Sequence, residues 1–185
     1  LHELDEKKKK IGVITMSAGN HAQAVAFRSR QQGIKSIIVM PENTPFTKIS
    51  RTKAYGAEII LTGRTLDESK LTVERLINEN GFQLVHPFDD PHIITGQGTI
   101  GLEIMEEVPN LDYLVIPIGG GGLISGISIA AKSVNPDIKI IGVESELYPS
   151  MSRSLAGLTL QSGGDTLAEG IAVKTPGELT KPIVK

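Results

Sequence analysis

Two short segments carry residue types that could hold an anion without a side-chain cation. Residues Gly119, Gly120, Gly121 and Gly122 follow the apolar run Val115-Ile116-Pro117-Ile118 and precede Leu123-Ile124-Ser125-Gly126. Consecutive glycines cost chain entropy, but they admit positive φ and let successive backbone N–H groups converge. A helix starting there adds the partial positive charge of its N-terminus, so the segment reads as a phosphate cradle made of main chain. The plainer alternative is a tight strand-to-helix turn, for which one or two glycines suffice. The second segment is Ser17-Ala18-Gly19-Asn20-His21-Ala22-Gln23. A hydroxyl, an amide and backbone N–H groups at a helix start suit a carboxylate. Asn20 reads equally well as an ordinary N-cap, and His21 alone reads as a structural hydrogen-bonder.

The glycine spacing leaves the owner of the phosphate open. No register fits G-x-G-x-x-G: the last glycine falls on Ile124 or Ser125, or the second falls on Leu123. A looser pattern through Gly120, Gly122 and Gly126 exists, and Glu144 ends a later strand where a ribose-binding acid would stand. A nicotinamide cofactor therefore stays open on this loop alone. The lysine and Ser/Thr of a P-loop are missing.

The elements that must position these segments follow from periodicity. Apolar, β-branched runs at 12–16, 36–40, 57–61, 82–85, 111–118 and 138–143 predict strands. Helical patterns are expected at 20–32, 47–55, 66–79, 98–107, 123–133 and 150–155, with another starting in 177–184. The third of these carries Leu66, Leu71, Val73, Leu76 and Ile77 as apolar positions. Such alternation implies parallel strands, right-handed crossovers and an α/β fold with ligands at the carboxyl ends of the strands. The turn residues of His86-Pro87-Phe88-Asp89-Asp90-Pro91 mark a domain crossing. That predicts a charged segment at 1–10, a smaller α/β domain at 11–89 and part of a larger domain at 90–185. The lysine run at 7–10 reads as a solvated face or a helix end.

Composition narrows the function classes. The 185 residues are 39% hydrophobic and 22% charged, with net charge −2 and no cysteine. That is enough chain for a real core. No global field points to nucleic acid or an anionic membrane. Disulfides and cysteine-ligated metal sites are excluded. No apolar run is long enough to span a bilayer, and the first ten residues show no signal-peptide pattern. A soluble cytoplasmic protein is expected.

Taken together, the segments resemble the fold-type II pyridoxal-phosphate enzymes, specifically the threonine/serine dehydratase and serine racemase family. The resemblance rests on Ser17 to Gln23, His86 to Pro91, Gly96-Gln97-Gly98-Thr99, Gly119 to Leu123, and Glu169-Gly170-Ile171-Ala172-Val173-Lys174, in family order. It favours pyridoxal 5'-phosphate over a nicotinamide cofactor. It implies parallel or mixed sheets with helices on both faces and two subdomains, the larger incomplete. It implies that Gly119, Gly120, Gly121, Gly122 and Leu123 bind the cofactor phosphate. Asn20 would hydrogen-bond the ring hydroxyl, and Gly170 would lie on a segment beside the ring. Ser17, Gly19, Asn20 and His21 would hold the substrate carboxylate. The implied chemistry is β-elimination from L-threonine or L-serine, giving a 2-oxo acid and ammonia, with isoleucine biosynthesis as one setting.

In the family's racemases a serine at the position of Ala18 acts as a second base, so alanine favours a lyase over a serine racemase. The family's Schiff-base lysine motif is not in this sequence, so no catalytic residue is assigned. The chain reads as a fragment, inactive by itself, of a homo-oligomeric parent. A non-catalytic amino-acid- or phosphate-binding module is the alternative for the segment as it stands. Some relatives hold a divalent metal at the positions of Glu144, Tyr148 and Ser150. Serine there replaces an aspartate, and hard cations want carboxylate charge, so no metal is expected.

Overall fold

The computed structural model describes residues 1–64 and 66–185, and the side chains of Leu66 and Asp67 lie outside that description. The expected apolar position at Leu66 falls there. The chain divides into two compact units, Leu1–Pro87 and Phe88–Lys185.

The first unit is a four-stranded parallel sheet in the order β3-β2-β1-β4, from β1 (Val13–Met16), β2 (Ser36–Met40), β3 (Glu58–Leu61) and β4 (Gln83–Leu84). Side chains alternate across a strand, so each strand feeds two cores. Val13, Ile38 and Met40 pack with Ala22, Val25 and Ala26 of α2 (Asn20–Gln31). Ile14, Ile37 and Val39 pack on the other face with Val73, Leu76 and Ile77 of α4 (Leu66–Asn80). Both faces are covered, which is why β2 reads as an unbroken apolar run that is buried at every residue. A third helix, α3 (Phe46–Ala54), adds Ile49 to the first of these cores. The lysine run falls in a short helix, α1 (Glu6–Ile11), N-capped by the Asp5 carboxylate, which accepts from Lys8 N at 2.8 Å.

The second unit joins a parallel pair, β5 (Tyr113–Pro117) and β6 (Lys139–Val143), to α5 (Pro91–Glu107), α6 (Gly122–Val134), α7 (Ser150–Leu155) and α8 (Thr180–Val184). Leu114, Ile116, Ile124, Ile127, Met105, Ile138 and Met151 form its core. Val115 pairs with Ile141 on the opposite side of the two strands, where both are exposed.

The helix expected at 98–107 begins at Pro91 instead. Its proline stands at the first helical position, where no N–H is needed, and the Asp90 carboxylate caps the turn from His92 N (2.8 Å) and Ile93 N (3.2 Å). Residues that read as a breaker are a helix start. The helix expected within 177–184 forms at Thr180–Val184, and a short 3-10 turn at Glu169–Ile171 was not foreseen. No helix among the described residues is long and apolar enough to cross a membrane.

Candidate functional site

In the second unit, β5 delivers the chain into the glycine loop and α6 leaves it. Only Gly121 uses the left-handed region, with φ 96° at the N-cap of α6. Gly120 and Gly122 are glycine for a different reason, namely close approach. A Cβ on Gly120 would fall on the Phe88 ring, and one on Gly122 would lie 2.8 Å from the Phe88 carbonyl oxygen. Gly119 faces the 170–173 segment: its Cβ would meet Val173 Cγ2 at 3.0 Å and lie 3.7 Å from the Gly170 carbonyl oxygen. Gly170 itself is exposed and has open space where a side chain would go.

The main chain of this loop is under-used. The backbone N–H groups of Gly119, Gly120, Gly121, Gly122, Leu123 and Ile124 donate to no acceptor among the described residues. The first bonded amide is Ser125 N, which donates to the Gly121 carbonyl at 3.0 Å. Gly120, Gly121 and Gly122 are buried. Buried N–H groups without partners are costly, and the start of a helix is electropositive. An oxyanion of the size of phosphate satisfies both conditions. A Cβ at Gly120 or Gly122 would displace the wall that holds those amides together, so the loop fits a phosphate cradle on geometry alone.

The carbonyl side of the loop is fully engaged. Gly120 O accepts from Gly177 N at 3.0 Å and from the buried Thr180 hydroxyl at 2.7 Å. The Asp89 carboxylate accepts from Glu178 N (3.0 Å) and Leu179 N (2.9 Å), fixing the turn that carries both donors. Sequence reasoning missed Phe88, Asp89, Gly177 and Thr180 as parts of this site. The only signals for them were the quoted motif holding Phe88-Asp89 and a threonine opening the last helical pattern.

In the first unit, Ser17 to His21 span the end of β1 and the first turn of α2. Gly19, not Asn20, is the N-cap, and no side chain caps the helix. Asn20 is the first helical residue and is exposed, so its amide is free for another use. The buried Ser17 hydroxyl accepts from Gly19 N at 3.2 Å, while Asn20, His21 and Ala22 N–H groups donate to no backbone acceptor among the described residues. This turn, like the glycine loop, presents open amides at a helix start.

The His21 ring turns inward, away from any role as an exposed cation. Its Nε2–H donates to the Val85 carbonyl at 3.1 Å, with the buried Thr15 hydroxyl also at 3.1 Å. Burial lowers the pKa of His21 below its ordinary 6.5; the Val85 bond pulls the other way, and His86 adds a further downward push. A neutral ring with its proton on Nε2 leaves the backbone N–H as the part of His21 suited to an anion.

Glu144 does not stand free for a ribose or a metal. Its two carboxylate oxygens accept from Met151 N (2.7 Å) and Ser152 N (2.9 Å), capping α7. The described residues contain no group of three or more His, Cys, Asp or Glu suited to a metal ion.

With this geometry in hand, the comparisons with known proteins are specific. The sequence pattern of the family described as "Pyridoxal-phosphate dependent enzyme" matches residues 1–185. L-threonine ammonia-lyase of Thermotoga maritima is 51% identical over 184 residues, which are 98% of this chain and 46% of that protein. The processed form of threonine deaminase isoform 2 from Solanum lycopersicum superposes with TM-score 0.92 at 41% identity, covering 98% of this chain and 54% of that one. Maize serine racemase superposes with TM-score 0.91 at 39% identity, covering 98% and 55%. The chain spans about half the length of the relatives it matches.

Proposed function

The chain belongs to the pyridoxal-phosphate-dependent enzyme family, and from that premise we propose that the whole protein deaminates L-threonine or L-serine to a 2-oxo acid: water is eliminated across Cα and Cβ, and the released enamine takes water back up as it hydrolyses, so that ammonia is the only net loss. The observation that carries this reading is the run of amides from Gly119 to Ile124 without acceptors among the described residues, at the start of α6. Gly119, Gly120, Gly121, Gly122 and Leu123 hold the cofactor phosphate through those amides, with the helix N-terminus adding positive charge. Asn20 offers its exposed amide to the ring hydroxyl, and Gly170 leaves room for the ring because it has no side chain there. Bound there, pyridoxal phosphate supplies an electron sink that lets Cα lose a proton and Cβ lose hydroxide.

The chain's own residues then bind and orient. Ser17, Gly19, Asn20 and His21 hold the substrate carboxylate: the open amides of Asn20 and His21 and the Ser17 hydroxyl donate to it, and Gly19, whose N–H donates to Ser17 Oγ, shapes the turn. The inward His21 ring fixes that turn against Thr15 and Val85. Two relatives named for their action on threonine, an L-threonine ammonia-lyase and a threonine deaminase, support threonine as the substrate. The absence of cysteine agrees with a cytoplasmic setting, and the family resemblance favours a homo-oligomer.

Ala18 separates this reading from its nearest competitor. A racemase must return a proton to the opposite face of Cα, and alanine has none to exchange. The test loads the full-length protein with pyridoxal phosphate and supplies L-threonine. Formation of 2-oxobutanoate and ammonia is expected. D-serine appearing from L-serine without 2-oxo acid would instead favour the racemase reading, and neither product would sink both.

A further inference from the structure

The amide side of the glycine loop has been assigned a ligand, but its carbonyl side has a construction of its own. Gly120 O takes two hydrogen bonds, from Gly177 N at 3.0 Å and from Thr180 Oγ1 at 2.7 Å. A peptide unit is planar and trans, so its C=O and N–H point in opposite directions. Holding Gly120 O therefore aims the N–H of Gly121, in the same peptide unit, away from Gly177 and Thr180. That N–H is one of the amides without an acceptor. Thr180 is fully buried and also wedges against the loop: a Cβ on Gly121 would lie 2.6 Å from Thr180 Oγ1. The Asp89 carboxylate fixes the turn from outside through Glu178 N and Leu179 N, and its neighbour Phe88 walls Gly120 and Gly122.

We infer that Asp89, Gly177 and Thr180 form a carbonyl clamp that pre-organises the glycine loop for its phosphate, with Thr180 as the positioning residue. The inference rests on the proposed cofactor reading and deepens it. Without the Thr180 hydroxyl, Gly120 O keeps a single donor and the Gly120–Gly121 peptide gains freedom to rotate. Binding then has to order the loop as well as fill it. The loss should fall on the phosphate group, the part of the cofactor that the amides of this loop are proposed to hold.

The experiment compares pyridoxal phosphate with pyridoxal, which lacks the phosphate, in equilibrium dialysis of the full-length apoprotein. Thr180→Val keeps the shape and removes the hydroxyl; Thr180→Ser restores it. The valine variant is expected to bind pyridoxal phosphate about tenfold more weakly, the loss of one buried hydrogen bond. Pyridoxal affinity should be unmoved, and the serine variant should return to the wild-type value. Unchanged pyridoxal phosphate affinity in Thr180→Val, or an equal loss for both ligands, overturns the clamp. If Thr180→Val does not fold, Asp89→Asn gives the same comparison from the exposed end of the clamp. A smaller loss confined to pyridoxal phosphate supports the clamp, and no loss or an equal one overturns it. Wild-type protein that binds both ligands equally and ignores inorganic phosphate as a competitor removes the phosphate reading of the loop, and the clamp with it.

Discussion

His21 sits in a turn of open amides, but its ring is engaged with the fold. The Nε2–H bond to Val85 and the nearby Thr15 hydroxyl lock the ring inward, and burial holds its pKa below the ordinary 6.5. In the unfolded chain the ring takes up a proton more readily than in the fold. The contribution to stability is therefore fully present above about pH 6.5 and falls as pH drops through the unfolded value. His21→Gln keeps a donor for Val85 but cannot titrate. Thermal unfolding followed by circular dichroism from pH 5 to 8 should show a shallower acid-side slope in this variant, with a cost of about 1 kcal/mol at the alkaline end. An unchanged slope would assign the titration to another histidine. A reader of the sequence sees His21 in a polar turn but not its ring direction, because Val85 lies 64 residues away.

At the scale of elements, glycines divide into those that touch a neighbour and those that do not. Helices α5 and α6 pack closely through Gly98, Gly101 and Gly126. A Cβ on Gly126 would overlap the Ile94 carbonyl oxygen and lie 2.7 Å from Gly98 N, and one on Gly101 would meet Ile127 O at 2.9 Å. Gly126, which looked like the last glycine of a dinucleotide pattern, is thus a helix-packing residue. Gly96 has nothing within 4 Å and sits exposed inside α5. Urea unfolding should separate the two. Gly126→Ala is expected to cost about 1–3 kcal/mol by forcing the helices apart. Gly96→Ala is expected to add about 0.5–1 kcal/mol by improving helix propensity. Equal effects would deny the close approach. Most elements were legible because periodicity is local: β2 falls on its expected residues and α2 falls within the expected 20–32. The start of α5 was not, because Asp90-Pro91 can signal a turn or a helix start and only the cap bonds decide. The capping role of Glu144, read correctly as a strand-end acid, was not legible for the same reason, since its amide partners come from α7.

For the whole molecule, the two turns that present open amides at a helix start belong to different compact units, each with its own core. Hydrogen exchange with mass-spectrometric readout can assign each ligand group to its unit. Pyridoxal phosphate added to the full-length apoprotein should slow exchange at amides 119–124, and the 177–180 turn behind them should tighten as well. Adding L-threonine afterwards should extend protection to amides 18–22. Protection by pyridoxal phosphate confined to 18–22 would reverse the assignment. The sequence by itself determined the strand–helix alternation, the glycine loop, the amide-rich turn after β1 and the family, because each is written in adjacent residues or in short repeats of apolar positions. The tertiary structure alone decided which amides stay open and what holds them: the inward His21 ring, the capping of α7 by Glu144, the Phe88 wall, and the grip of Gly177 and Thr180 on Gly120. These are contacts between segments distant in sequence, and a hydrogen bond depends on where its two groups meet in space, which local pattern does not encode.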